Sequence, residues 1–325
     1  MTLNQKFNII HKPIFLNEIV QYLNIKKNGI YIDATLGQGN HTKKILSFLT
    51  TGILICIDQD QNQINNFKKK YQNFISGKNI IFINDKFSNI KNHLIKNKIK
   101  KIDGILYDLG PCNNQLLDQK RGFSYHLDAK IDMRFNQNQK LSAYSVLNFE
   151  SQETLISIFN KFKSYQYSKI LANTILKYRL EKPIISTLDF VKIIKKTIPQ
   201  KKLKTLKHPA RKIFLALRIY INDELNEIKI SLQNILNFLN INAKILVITF
   251  HSLEDKIIKK FFLNLSKMHL YKDPHFFIYH NSKKKPIFKI LTKKPLLATN
   301  IDINNNRCAR SAKLRVIEKI NNVLN

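Results

Sequence analysis

Three aspartates stand where chemistry is expected in this 325-residue chain. Asp33, Asp58 and Asp108 each close a short apolar run, GIYID, ILICID and GILYD. An acid at the carboxyl end of a buried strand is where open α/β sheets hold their ligands. The first acid leads into Asp33-Ala-Thr-Leu-Gly37-Gln-Gly39-Asn40-His41, which uses two of only eight glycines. Such a turn lets a ligand approach backbone N–H groups at a helix start. Asp58 follows Gly39 by 19 residues, a spacing at which a carboxylate takes both hydroxyls of a ribose. The plain alternative is a tight strand–helix turn with an exposed acid. Phe87, just past the third strand, can pack on a nucleobase or simply belong to the core.

The third acid opens Asp108-Leu-Gly110-Pro111-Cys112-Asn113-Asn114-Gln115. Two reactions fit it. Pro111-Cys112 offers a thiolate that attacks a cytosine ring before transfer to carbon 5. Transfer to an exocyclic amino nitrogen needs no covalent step; the nitrogen must be aligned and its proton accepted, and Asp108 with the backbone beside Gly110 can grip the amino hydrogens. Farther along, His251 lies at a strand end where it can handle a proton, while Ser252 and Asp255 have the spacing of a helix capping box. His208 precedes Pro209 at a helix start. Arg121, Arg134, Arg218, Arg310 and Arg315 lie in or beside these motif segments, in a chain with 47 Lys and only 8 Arg. A planar fork suits phosphates, bases or internal carboxylates, and the sequence leaves these open. Phe123 and Tyr125 can stack a splayed base or pack inside.

The elements that must position these residues alternate. Strands are expected at 29–34, 53–57, 80–83 and 102–107, with helices at 42–49, 60–71 and 88–97, a pattern that implies a parallel sheet covered on both faces. From 113 to 207 no strand is expected. Helices are expected near 151–163, 168–179 and 187–197, the last capped by Thr187 and stopped by Pro199. One long helix is expected from 210 to about 239, then a strand at 244–250, a helix at 253–266, and strands at 288–292 and 314–318. A dehydrogenase would need a second βαβαβ half. These last strands instead suit the antiparallel edge of a class I, Rossmann-like methyltransferase sheet. The expected fold is thus α/β, with residues 1–112 and 208–325 forming a cofactor domain and 113–207 a helical insertion for recognition.

Composition bounds the function. The formal net charge is +33, with 44% hydrophobic residues; the chain can bury a core, and the excess fits a polyanion partner or a drift of the codons toward Lys, Ile and Asn that leaves solvated lysine faces. Two windows concentrate the charge: residues 195–212 sum to +8 and residues 256–294 to +10. Three spread-out cysteines and the absence of paired histidine ligands give no metal site, and three thiols suit a reducing cytoplasm. No run is long enough for a membrane span.

The motifs together resemble the small-subunit ribosomal RNA methyltransferase H family, also called MraW. The matching segments are residues 11–18, 31–41 and 103–110, then Arg121-Gly-Phe-Ser-Tyr125, Asp132-Met-Arg134, Lys207-His-Pro-Ala210, Phe250-His-Ser-Leu-Glu-Asp255 and Arg310-Ser-Ala-Lys-Leu-Arg315. The resemblance implies an S-adenosylmethionine-dependent enzyme acting on the amino nitrogen of a cytidine in the decoding region of small-subunit rRNA, free or in an assembled subunit. It implies that Gly39, Asn40, His41, Asp58, Phe87, Asp108 and Gln115 contact the cofactor, and that the insertion shapes the RNA site. The chain departs from the family pattern at Pro111, Cys112 and Asn113, at Lys163, Ser164 and Tyr165, at Cys308, and at Asn40, where a second adjacent glycine is usual. The other class to be distinguished is a binding protein that keeps only the fold.

Overall fold

The computed structural model describes residues 13–161, 167–199, 208–267 and 286–321. The expected motif residues His11 and Lys12, the departures at 163–165, Lys207, and much of both basic windows lie outside them, as do the side chains of Asn305, Arg307 and Cys308. The chain divides into two compact units, residues 1–110 with 227–325, and residues 111–226.

The first unit is built on one sheet, with eight strands among the described residues. They are β1 (Ile30–Asp33), β2 (Ile53–Asp58), β3 (Ile80–Asn84), β4 (Ile102–Asp108), β5 (Leu239–Thr249), β6 (Phe288–Ile290), β7 (Leu296–Leu297) and β8 (Lys313–Lys319). Their order is β3-β2-β1-β4-β5-β8-β6, with β7 also on β8. Strands β1 to β5 pair in parallel. β8 runs antiparallel to β5, and β6 antiparallel to β8. This is the Rossmann-like methyltransferase sheet expected from the sequence.

Strand side chains alternate faces, and both faces are buried. Ile32, Ile55, Ile105, Tyr107 and Val247 enter one core, while Tyr31, Leu54, Leu106, Leu246 and Ile248 enter the other. That is why these strands read as unbroken apolar runs. The order reverses between β1 and β4, so the crevice at their carboxyl ends lies beside Asp33 and Asp108. Register places Asp58 opposite Asn84 at the ends of β2 and β3.

The second unit is helical. Its described helices are Asn113–Leu117, Ala143–Phe149, Gln152–Asn160, Ser168–Glu181, Thr187–Lys196 and Ala210–Ile221. The insertion expected at 113–207 therefore extends to Asn226. The reason is packing: Ile213, Phe214 and Leu217 are part of this unit's own core with Ile131, Phe159 and Phe190.

Three further expectations are corrected. The helix expected from 210 to 239 is two, Ala210–Ile221 and Glu224–Ile235. Asp223 between them takes a left-handed φ of 48°, and Arg218 forks onto Glu224 across the break at 2.7 Å. Thr187 is not the cap of its helix. Ser186 is, accepting from the Asp189 N–H, while the Thr187 hydroxyl donates to the Leu127 carbonyl. Ser252 and Asp255 do not form a capping box, since Asp255 pairs with Lys313 at 3.0 Å and Arg315 at 2.7 Å.

Candidate active site

The two central strand ends are tied together by hydroxyls. Asp33 is 1% exposed. Its carboxylate accepts from the Thr42 hydroxyl at 2.6 Å and the Thr35 N–H at 3.2 Å. Burial pushes its pKa up to about 6 against the opposing pull of Thr42. The Thr35 hydroxyl accepts from the Asp108 N–H at 2.7 Å, joining the end of β1 to the end of β4. Thr35, in the loop after β1, and Thr42, in the first turn of the next helix, carry no signature in the sequence, because a hydroxyl's role shows only once its partner is located.

Asp58 shapes the glycine turn. Its carboxylate accepts from the Gly37 N–H at 2.8 Å and the Asp60 N–H at 2.9 Å. Even with these donors, burial raises its pKa to about 7. Each oxygen keeps a further lone pair for a ligand. Gly37 and Gly39 both have left-handed φ, 48° and 74°. A side chain at Gly39 would come within 2.0 Å of the Phe67 ring, so strain and space both require glycine there. Asn40 and His41 open the helix that follows, Asn40–Leu46.

At the end of β4, a third of the Asp108 side chain is exposed. Its Oδ1, however, is enclosed and meets no hydrogen-bond partner among the described residues. Desolvation, then the nearby Glu254 charge, raises its pKa to about 7. Gln59, next to Asp58, likewise has an enclosed Oε1 without a partner. Phe87 is half-buried with its ring edge-to-face with Tyr107 at 5.7 Å, so it serves the core with one face and leaves part of its surface outside.

His251 sits between β5 and the helix Ser252–Lys267. The Glu254 carboxylate accepts from the N–H groups of Phe250 at 2.8 Å and His251 at 3.3 Å. The His251 Nδ1 lies 3.4 Å from the Glu254 N–H, and its Nε2 3.0 Å from the carboxylate. The cap is thus a His-x-x-Glu arrangement shifted one residue from the expected Ser-x-x-Asp.

In the helical unit, Gln115 is buried, with its Oε1 accepting from the Cys112 N–H at 3.0 Å. Arg121 is 3% exposed and donates to the carbonyls of Arg134 and Phe135. Arg134 forks onto Asp132 at 2.7–3.1 Å, and Arg218 onto Glu224. Each of these three arginines, expected at the RNA, places its fork on a partner within the helical unit. Phe123 stacks on Phe135 at 5.3 Å and is core. The Tyr125 ring is stacked on His208 at 4.6 Å, with Phe214 at its edge. Arg310, in the first unit, is exposed.

The geometry is that of a ligand crevice at the switch point of a methyltransferase-type sheet. The family model described as the MraW methylase family matches residues 8–320. The chain belongs to the MraW methylase family. Among MraW relatives, the ribosomal RNA small subunit methyltransferase H of Spiroplasma kunkelii is 40% identical over 319 residues, covering 95% of this chain and 98% of that one. The protein of the same name from Mycoplasma mycoides subsp. mycoides is 43% identical over 319 residues, covering 95% and 99%. That from Streptococcus mutans is 41% identical over 313 residues, covering 96% and 98%.

Proposed function

We propose that this MraW methylase transfers a methyl group from S-adenosylmethionine to the exocyclic amino nitrogen of a cytidine in the decoding region of small-subunit ribosomal RNA. The observation that carries the reading is Asp108, at the reversal point of the sheet, with an enclosed oxygen that no donor among the described residues meets. The names of the relatives support the RNA substrate. S-adenosylmethionine, when bound, supplies a methyl group activated by a sulfonium.

The residues present fit that group. Asp58 keeps lone pairs for ribose hydroxyls, Phe87 has a partly open ring for the base, and the Gly39-Asn40-His41 turn completes the contacts expected of this unit. The unmatched acceptors Asp108 Oδ1 and Gln59 Oε1 suit a ligand rich in donors, with ammonium, amine and hydroxyl groups. Asp108 grips the acceptor amino group, aligns its lone pair and takes its proton. The cap accounts for His251 without a step in the transfer. The unit of residues 1–110 and 227–325 holds the cofactor, and the helical unit recognises RNA with Tyr125 and His208. Arg310 adds a phosphate contact.

The deciding experiment is mass mapping of nucleosides after incubation with unmodified small subunits and S-adenosylmethionine. We expect one cytidine methylated on its amino nitrogen. A methyl on carbon 5 would replace this reading with the Cys112 thiolate route. No methylation and no heat on titrating S-adenosylmethionine would leave a binding protein. Cys112→Ser is expected to retain most activity.

A further inference from the structure

The imidazole of His41 is held in one tautomer. Its Nε2 lies 3.0 Å from the Ile14 carbonyl oxygen. A carbonyl can only accept, so Nε2 carries a hydrogen. The one atom of the ring left to titrate is Nδ1, and Nδ1 faces Asp108 Oδ2 at 3.5 Å. A neutral ring against an ionised carboxylate would set lone pair against lone pair. One proton between the two atoms removes that repulsion, whether it rests on nitrogen or on oxygen. The distance is at the long end, as catalytic hydrogen bonds often are before a ligand closes the site.

The surroundings favour this single proton. His41 is 7% exposed. Asp33 on β1 supplies a negative charge that favours a proton on His41. Glu254, on the helix after β5, supplies one that disfavours an ionised Asp108; Glu254 is itself paired with His251. Burial lowers the His41 pKa and raises that of Asp108 to about 7. The two groups face each other closely enough to interact, and in such a pair the titration belongs to both.

We propose that His41 is a positioning residue for the transfer: through Asp108, it shares and stabilises the proton that leaves the acceptor nitrogen. The inference rests on the methyl-transfer reading above. In that step a bond forms between the amino nitrogen and the methyl carbon, and the carbon–sulfur bond breaks with its electron pair staying on sulfur. The nitrogen's proton passes to Asp108 Oδ2 and is held between it and His41 Nδ1. The Ile14 carbonyl keeps the ring turned so that no other tautomer competes.

The test is the pH dependence of single-turnover methylation by the full-length enzyme. The wild-type rate should rise with pH as the pair gives up its proton, then level. His41→Gln keeps an amide able to donate to the Ile14 carbonyl but removes the titrating nitrogen. Asp108 alone has fewer places for the proton than the pair, so its proton affinity falls. The acidic limb of the profile should move to lower pH, and the plateau should fall ~10-fold, toward the lower end of what a proton acceptor contributes. Rates are read at cofactor concentrations that calorimetry with S-adenosylhomocysteine shows to be saturating for each variant, so that a weakened cofactor contact at His41 enters neither the limb nor the plateau. His41→Asn, equally unable to titrate, should shift the limb in the same direction, so a folding failure in one variant does not decide the matter. An unmoved limb with an unchanged plateau, or a loss confined to cofactor KM with the limb unmoved, overturns the proposal. A wild-type enzyme that does not methylate would instead overturn the reading on which it rests.

Discussion

Asp108 meets two opposed demands, because the environment that lets it take a proton also penalises its charge in the folded protein. Its pKa is about 7 folded, against roughly 3.9 in an unfolded chain. The folded state therefore binds more protons between these values, and this residue's contribution to stability falls as pH rises from about 4 to 7, then stays flat. Asp108→Asn cannot ionise. Its melting temperature relative to wild type should climb across that interval and level above it; a difference independent of pH would contradict the assignment. The same variant should lose methylation by at least about 100-fold, as expected when a positioned proton acceptor is removed. The expected ligand acids Asp33, Asp58 and Asp108 were legible because each ends an apolar run. Their wiring through Thr35 and Thr42 was not, because hydroxyl partners depend on distances across strands and leave no periodic trace.

Caps and breaks set the geometry at the scale of elements. Glu254 is fully buried and serves the N–H groups of Phe250 and His251. Glu254→Ala should cost ~2 kcal/mol or more in chemical denaturation, since a cap is lost and buried donors are left unmatched. His251→Asn keeps a good capping residue and should retain both stability and methylation; a variant that is stable but inactive would restore His251 to the chemistry. In the helical unit, Gly122 has φ 67°, and a side chain there would come within 2.3 Å of the Lys130 carbonyl. Gly122→Ala should therefore destabilise by more than the ~1 kcal/mol of the left-handed backbone alone, read as a lower melting temperature. Strands and most helices followed from periodicity. The break at Asp223 did not, because no proline or glycine marks it; Asn222 is drawn off to hold the loop, accepting from the Phe135 N–H and donating to the Met133 carbonyl.

At the scale of the whole molecule, charge and function separate. The +33 is spread through the chain, and the arginine forks traced in the helical unit close on internal partners. Affinity for RNA should then come from the lysine-rich windows at 195–212 and 256–294. Neutralising their lysines should reduce the slope of log binding constant against log salt by roughly 0.7–0.9 per lost phosphate contact; an unchanged slope would place the contacts elsewhere. An inserted helical unit was legible in the sequence from its lack of strands. It hid the far boundary, because the helix from Ala210 to Ile221 is as apolar as one that would serve the sheet, and only packing decides which core it joins.

The position of β8 has a consequence for how the molecule comes into being. Residues 313–319 are not at the rim of the sheet but between β5 and β6. A growing chain thus emerges with five parallel strands available and one long edge, β5, left bare until residues 313–319 have been made. The inserted unit, continuous from 111 to 226, can complete its own core far earlier. Synthesis imposes an order in which the helical unit matures first, while the crevice holding Asp33, Asp58 and Asp108 rests on a sheet that stays open-edged, and prone to pairing with a neighbouring chain, until β8 slots in.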